Sequence, residues 1–211
     1  MFTKTQFERF MAQVPSHIVV VLDEAYHEYA QWHPEYPDGL TYDYPNLIVT
    51  RTLSKAYGLA GVRLGIAIGN EKLISYLYRV KLPFEPNAIA QAAGIAAIED
   101  EAFVTKTTRQ NQKSLQKMID HFTMMGIPQI ETVANFVLIL LPSQEFAKAF
   151  YEECLNRGLI VRHVDTFGIL NGIRINSGTD EETDFALQVT DDVYTLLCKR
   201  FNIELAGTAA R

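Results

Sequence analysis

The feature that most constrains the fold is a set of short apolar runs, each followed by polar or charged residues. Residues 17–22 (HIVVVL) precede Asp23 and Glu24, and residues 47–50 and 65–69 form two similar runs. A strand that is apolar along its whole length is buried on both faces, as in a parallel sheet. We therefore predict an α/β fold whose first half contributes three strands of a parallel sheet.

The second half differs from the first in pattern. Its strands and helices are short and follow one another closely, which predicts a small α+β unit. We place one domain at residues 1–100 and a small α+β domain, entered through a long helix, at residues 101–211. Predicted strands lie at 130–133, 135–141, 159–164 and 172–176, and predicted helices at 7–14, 71–78, 87–99, 101–125, 144–157 and from 180 onward, with a mobile tail at 206–211.

Composition excludes several classes of function. The net charge of −6 offers no basic field for nucleic acid or an anionic membrane. No apolar run approaches the ~20 residues of a transmembrane helix. Cys154 and Cys198 lack metal-ligand spacing and are typical of reduced thiols in a cytoplasmic protein. His27 and His33 match no ligand pattern and are expected to be solvated, so we predict no metal site.

Asp23 lies where open α/β sheets bind their ligands, at the carboxyl end of a strand. One interpretation is a solvated acidic strand end. Another is a Walker B acid, since VVVLDEA has that pattern, but no upstream phosphate loop ending in Gly-Lys-Ser/Thr accompanies it. No GxGxxG fingerprint is present either.

A second polar cluster follows the second strand. Thr52 and Ser54 supply hydroxyls, Lys55 an amine, and Arg63 a planar guanidinium that suits a phosphate. A lysine near other cations loses its proton more readily, as a Schiff-base nucleophile requires. A lone lysine is usually a surface charge, yet the combination of two hydroxyls, a lysine and an arginine favours a functional site.

Several motifs together resemble the histidinol-phosphate aminotransferase family, which uses pyridoxal phosphate on the aspartate-aminotransferase fold (fold type I). They stand in the family order and cover almost the whole chain. The spaced DEAY and SKAYGLAGVRLG are specific for the superfamily, and RTLSKAYGLAG with the closing arginines favours this branch. The motifs are DEAYHEYA, YPNLIVTRTLSKAYGLAGVRLGIAIG, PFEPNAIAQAAGIAAIED, ANFVLIL, RGLIVR and GIRINSGT.

The resemblance implies roles for individual residues. Lys55 would join the cofactor through its amine and move the substrate proton. Asp23 would pair with the pyridinium nitrogen, and Tyr26 would hydrogen-bond the ring oxygen. The phosphate would be bound by Thr52, Ser54 and Arg63.

Arg162 and Arg174 lie on predicted strands of the second domain. An arginine between two isoleucines, as in Ile173-Arg174-Ile175, requires an anion. An internal salt bridge would serve, but the resemblance implies that Arg174 binds the substrate carboxylate or phosphate and that Arg162 assists at the phosphate end.

The family pattern also implies an upstream half that this chain does not carry, so we expect a C-terminal portion that is weak or inactive alone. The implied reaction converts imidazole-acetol phosphate and glutamate into histidinol phosphate and 2-oxoglutarate in histidine biosynthesis, in a cytoplasmic homodimer. Alternatives are an aromatic aminotransferase, a phospho-amino-acid decarboxylase, or a non-catalytic remnant.

Overall fold

The computed structural model describes residues 1–204, so the predicted tail at 206–211 lies outside the described residues. The chain forms two compact units, Met1–Thr108 and the residues from Arg109 onward. The boundary predicted between residues 100 and 101 stays a prediction.

The first unit contains a three-stranded sheet in the order β1-β2-β3. Its strands are β1 (Val20–Asp23), β2 (Leu47–Thr52) and β3 (Gly65–Gly69). The first two pair in parallel, with Asp23 opposite Thr50. β1 begins later than predicted because the preceding residues form a turn, closed by the bond from the Ile18 amide to the Pro15 carbonyl.

The prediction of three parallel strands is wrong for β3, which pairs antiparallel to β2. A parallel return needs a crossover, usually a helix, that carries the chain back to the starting edge. Residues 53–64 instead contain turns and one short 3-10 helix, Ala60–Val62. β3 therefore starts where β2 ends, with Gly65 opposite Thr52.

Three helices of the first unit, α1, α3 and α4, begin at residues whose side chains cap them. Thr3 and Gln6 form a capping box at the start of α1, and Asn70 and Asn87 cap α3 and α4 with their side chains. The helix predicted over 7–14 starts earlier and ends at Met11. The helices are α1 (Lys4–Met11), α2 (His27–Ala30), α3 (Glu71–Val80), α4 (Ala88–Glu99) and α5 (Glu101–Met124), the last of which continues into the second unit.

The second unit packs helices against a four-stranded sheet in the order β4-β5-β7-β6. Every pairing in this sheet is antiparallel. Alternate residues of β5 are buried, as expected when one face of a sheet carries the core. The elements are β4 (Gln129–Ile130), β5 (Phe136–Leu140), α6 (Gln144–Asn156), β6 (Arg162–His163), β7 (Gly172–Asn176) and α7 (Asp180–Phe201).

The two outer strands of the second sheet are shorter than predicted. β4 and β6 have two residues each, although the sequence suggests strands over 130–133 and 159–164. Both are edge strands that pair on one side only, so few ladder bonds define them. Among residues 1–204, no helix combines the length and hydropathy needed to cross a bilayer.

Candidate active site

One edge of the sheet in the first unit gathers the polar residues singled out in the sequence. Parallel β1 and β2 end at this edge, and antiparallel β3 begins there. The segments that follow β1 and β2 and precede β3 therefore meet at one place. These segments and the last residues of β1 and β2 supply the six predicted cofactor-binding residues, Asp23, Tyr26, Thr52, Ser54, Lys55 and Arg63.

Asp23 ends β1 with its side chain exposed to solvent. Its Oδ1 accepts a hydrogen bond of 3.0 Å from the Ala25 amide, which turns the chain away from the sheet. Tyr26 follows this turn and is half-buried at the start of α2. The local turn thus leaves a carboxylate open at the sheet edge and places an aromatic ring beside it in the chain.

Lys55 is exposed in the turn that follows β2. Its Nζ lies 5.5 Å from the centroid of the Tyr26 ring, within the range of a cation–π contact. The Gly58 amide donates to the Lys55 carbonyl at 2.9 Å, and Gly58 has a φ of +70° that favours glycine. The structure therefore brings Lys55 to Tyr26, as the family resemblance implies.

Thr52 shapes this loop with its side chain. Its Oγ1 accepts from the Ser54 amide at 3.1 Å and donates to the Leu64 carbonyl at 3.4 Å. A hydroxyl has a single proton, so Thr52 has no second donor for a phosphate in this arrangement. Its predicted role at the phosphate stays a prediction, and the bonds observed here support a role in folding the loop.

Arg63 ends the same loop in the left-handed region, with a φ of 61°. A non-glycine residue rarely adopts this conformation. One terminal nitrogen donates to the Ala60 carbonyl at 2.9 Å, while the residue remains exposed. Since a guanidinium has five N–H donors, the others are available to an anion at the sheet edge.

Arg162 and Arg174 face each other in the second unit as directly paired residues of β6 and β7. Like charges opposite each other destabilise a sheet. Arg162 stacks 5.1 Å from the Phe167 ring centroid and Arg174 5.0 Å from that of Phe136. The Nε of Arg174 is buried without a hydrogen-bond partner among the described residues. These observations indicate that the pair suits an anion.

A cavity of about 550 Å³ opens beside Arg162, between α6 and β6. Lys148 and His163 also line it. Glu152 and Asp165 line it too, so the cavity carries charges of both signs and is large enough for a small molecule.

Sequence reasoning missed a buried ionic cluster behind the sheet edge. Glu24 is only 4% exposed, and Arg51 lies between its carboxylate and that of Asp38. His27 is buried beside them, contrary to the expectation that it is solvated, because α2 packs its ring against Tyr36. A signal for this cluster was available, since Glu24 and Arg51 each adjoin a predicted site residue, but sequence does not show which acid is buried.

Burial and charge perturb the titration of this region. Desolvation, and secondarily Arg51, lowers the pKa of His27 below its ordinary 6.5. Burial raises the pKa of Glu28, which also receives a hydrogen bond from Tyr57. Ligand atoms of Glu24, His27 and Asp38 lie within 4.8 Å of one another, but the two carboxylates are bound by Arg51. The arrangement is that of an ion-pair cluster.

Comparison with known proteins places this chain in a family. The family model "Aminotransferase class I and II" matches residues 1–189. Among curated relatives, Histidinol-phosphate aminotransferase 2 of Hydrogenovibrio crunogenus is 40% identical over 92% of this chain and 52% of its own length. The protein of the same name from Pseudomonas aeruginosa is 40% identical over 91% of this chain and 52% of its own.

A solved structure shows the same fold. The histidinol-phosphate aminotransferase of Sinorhizobium meliloti, in complex with pyridoxal-5'-phosphate, superimposes with a TM-score of 0.84 and 27% identity. The match covers 93% of this chain and 54% of that one. The chain thus spans about half the length of the relatives it matches, and the predicted fold class, part of a fold type I aminotransferase, is confirmed.

Proposed function

The chain belongs to the class I and II aminotransferases, and from that premise we propose that it carries the lysine-bearing part of a pyridoxal-phosphate-dependent aminotransferase. The observation that carries the proposal is the sheet edge where the Lys55 Nζ lies 5.5 Å from the Tyr26 ring centroid and where β1 ends in the exposed Asp23. The proposed reaction transfers the amino group of glutamate to imidazole-acetol phosphate. Its products are histidinol phosphate and 2-oxoglutarate.

The donor set at this edge fits pyridoxal phosphate. An exposed amine, an exposed carboxylate and a guanidinium with spare donors are supplied by Lys55, Asp23 and Arg63. Bound at such a site, the cofactor supplies an electrophilic carbonyl carbon and a ring that accepts electrons from the substrate. The backbone ladder between β1 and β2 extends one residue past Asp23, since the Glu24 amide donates to the Thr50 carbonyl at 2.8 Å.

Each side chain has a distinct proposed task. Lys55 holds the cofactor through Nζ and later carries a proton at that atom. Asp23 accepts a hydrogen bond from the ring nitrogen and keeps it protonated, because a carboxylate favours a neighbouring positive charge. Tyr26 would donate a hydrogen bond from its hydroxyl to the ring oxygen. Ser54 and Arg63 are proposed to hold the phosphate, and Thr52 could join them only if its hydroxyl left the Leu64 carbonyl.

Arg162 and Arg174 are the proposed anion-binding residues of the second unit. Their opposition across β6 and β7, and the unpartnered Nε of Arg174, support binding of a carboxylate or phosphate. Arg174→Ala should weaken use of both glutamate and the phosphorylated ketone. Arg157→Ala is the matched control, since Arg157 lies at the end of α6 and contacts Glu153 at 3.9 Å. Equal effects of the two variants would contradict the assignment.

Homodimer formation and a cytoplasmic location are proposed with the activity. Several apolar side chains of the first unit are strongly exposed, among them Leu82 at 65%, Phe84 at 95% and Ile89 at 80%. Patches of this kind are typical of surfaces that another chain covers. Sedimentation velocity tests the dimer, and a concentration-independent monomer would contradict it.

Covalent labelling tests the cofactor proposal. The chain is incubated with pyridoxal phosphate, reduced with borohydride, digested, and mapped by mass spectrometry. We expect the label on Lys55 and its loss in Lys55→Ala. Lys72→Ala is the control, because Lys72 is an exposed lysine of α3 in the same unit. Labelling of a different lysine would overturn the assignment.

Product analysis separates the alternatives. Formation of 2-oxoglutarate from glutamate with the imidazole ketone supports transamination. Release of carbon dioxide from a phosphorylated amino acid would favour a decarboxylase, and labelling of Lys55 without turnover would favour a non-catalytic chain.

A further inference from the structure

Arg51 is held between two carboxylates directly behind the proposed cofactor site. Its Nε lies 3.0 Å and one terminal nitrogen 2.9 Å from Glu24 Oε2. The same terminal nitrogen lies 2.7 Å from Asp38 Oδ1. Because the Arg51 side chain is only 19% exposed and that of Glu24 2%, solvent screens these contacts weakly.

The second oxygen of Glu24 is bound by the backbone. The Gly39 amide donates to Glu24 Oε1 at 2.6 Å. A Cβ at Gly39 would meet Val49 at 2.6 Å and Leu22 at 2.8 Å, so this approach requires glycine. Both carboxylate oxygens of Glu24 are therefore occupied, as a buried charge requires.

This cluster joins three segments that converge on the site edge. Glu24 directly follows Asp23 in β1, and Arg51 directly precedes Thr52 in β2. Asp38 and Gly39 come from the loop between these strands. The ion pair therefore links the residue that follows β1 to a residue near the end of β2, four positions before Lys55.

Buried ion pairs are poor evidence for stability, because desolvation offsets much of their attraction. Their better supported role is to select one geometry. We propose that Arg51, acting through Glu24 and Asp38, is a positioning residue that sets Asp23 and the Lys55 turn at the spacing needed to capture pyridoxal phosphate. This inference rests on the proposed function. It concerns residues that do not themselves contact the cofactor.

The test compares Arg51→Lys with the unaltered chain. Lysine keeps the charge but not the planar fork, so it cannot contact Glu24 and Asp38 together in the same way. We expect the concentration of pyridoxal phosphate that half-saturates labelling of Lys55 to rise about tenfold. We also expect the circular dichroism of the bound cofactor to weaken, because the ring is less uniquely oriented.

Asp38→Asn provides a milder second variant. It keeps the oxygen that faces Arg51 and removes a charge at a partly exposed position. A rise of about two- to threefold in the half-saturating concentration is expected. This variant retains the buried pair of Arg51 and Glu24, so it keeps the inference testable if Arg51→Lys does not fold.

Met11→Ala is the control for a merely structural effect. Met11 is buried in the same unit with Leu22 and Leu47 and is no part of the ionic cluster. It should lower the melting temperature while leaving the half-saturating concentration and the dichroism of the folded protein unchanged. If Met11→Ala weakens cofactor capture as much as Arg51→Lys at an equal loss of melting temperature, the positioning role is refuted.

Hydrogen exchange without cofactor separates this inference from the proposed function. In Arg51→Lys, or in Asp38→Asn to a smaller degree, amides of residues 23–26 and 52–58 should exchange faster while those of α1 do not change. Unchanged exchange in both variants overturns the positioning role. If the unaltered chain takes up no pyridoxal phosphate, the proposed function fails, and the exchange result still decides whether Arg51 orders these segments.

Discussion

The two units of the chain differ in how completely they bury their own apolar side chains. In the second, helices α5, α6 and α7 and strands β5 and β7 close over a core of 21 buried residues, many of them fully inaccessible. In the first, the main buried apolar cluster has five, Phe7, Met11, Leu22, Leu47 and Val49. Every residue of β3 is exposed, and α3 buries none of its side chains.

The larger apolar core and the proposed cofactor site therefore lie in different units. The second unit has the core that a small domain needs to fold cooperatively. The first carries the proposed lysine and its carboxylate on a sheet whose outer strand, β3, lies open to solvent. The first unit is therefore expected to be the less stable of the two, and its geometry depends more on specific polar contacts such as those of Arg51.

Core truncations should show the largest contrast. Phe146→Ala, at a fully buried position of α6, should lower the free energy of unfolding of the second unit by about 3–5 kcal/mol. Leu22→Ala should cost the first unit about 2 kcal/mol, the low end for such changes, because its cluster is small. Trp32 is the single tryptophan, so its fluorescence follows the first unit, and hydrogen exchange follows both. A larger loss for Leu22→Ala would contradict the comparison.

Capping boxes allow a matched comparison, because each unit has one. Thr179 caps α7 with Glu182, and Thr3 caps α1 with Gln6. Replacing either threonine with alanine should cost about 1 kcal/mol in its own unit. Thr→Ser at the same positions should cost less, since serine retains the hydroxyl. Hydrogen exchange of the α1 and α7 amides, followed as denaturant is added, measures the stability of each unit separately. Loss of stability in the unit that was not mutated would contradict the prediction.

A pH effect should be smaller and confined to the first unit. The pKa of His27 is lowered by burial, so the unfolded chain binds a proton that the folded chain does not. The stabilisation from neutral His27 is present above 6.5 and is lost as the pH falls through the lowered folded pKa. His27→Gln should flatten the stability of this unit between about pH 7.5 and 5.5, measured by Trp32 fluorescence. An unchanged slope would contradict the assignment to His27.

The smallest stability effect is expected on the open strand. Ile68 lies on β3 with 38% of its surface exposed, so Ile68→Thr should change the free energy of unfolding by less than about 0.5 kcal/mol. The same variant should raise the concentration at which the chain begins to aggregate, because the exposed edge is less apolar. Light scattering measures this. A large loss of stability would show that β3 is covered in solution.

Much of the fold could be predicted because apolar periodicity and capping residues are local signals. Asn70, Asn87 and Thr179 marked their helix starts correctly. The apolar spacing of α7 predicts five buried side chains; Ala186, Val189 and Val193 are buried, whereas Phe185 and Leu196 are exposed. The direction of β3 could not be read from its apolar run, since direction depends on the connection and not on the strand. The lengths of β4 and β6 depend on neighbours that a pattern does not show.

The candidate site was predictable only in part. Lys55, Asp23 and Tyr26 were found through their motifs, and the structure brings Lys55 to Tyr26. The Thr52 hydroxyl both accepts and donates a hydrogen bond within its loop, and Glu24 is buried. Both features depend on three-dimensional packing, so the sequence alone does not predict them. Arg51 was missed because an arginine at a strand end gives no signal of being enclosed by Glu24 and Asp38.

The glycine of the alanine-rich helix α4 restricts how this region can vary. A Cβ at Gly94 would lie 2.3 Å from Leu64 Cδ2 and 3.6 Å from Leu53 Cδ2. Both leucines belong to the segment that contains Lys55. That segment therefore packs against the backbone of α4 at Gly94. A mutational scan of α4 would thus find more tolerance at outward positions such as Ile95 than at Gly94, where the Leu64 side chain must shift to admit a Cβ. A single added methyl group there would displace the Leu64 side chain, which closes the loop that carries Lys55.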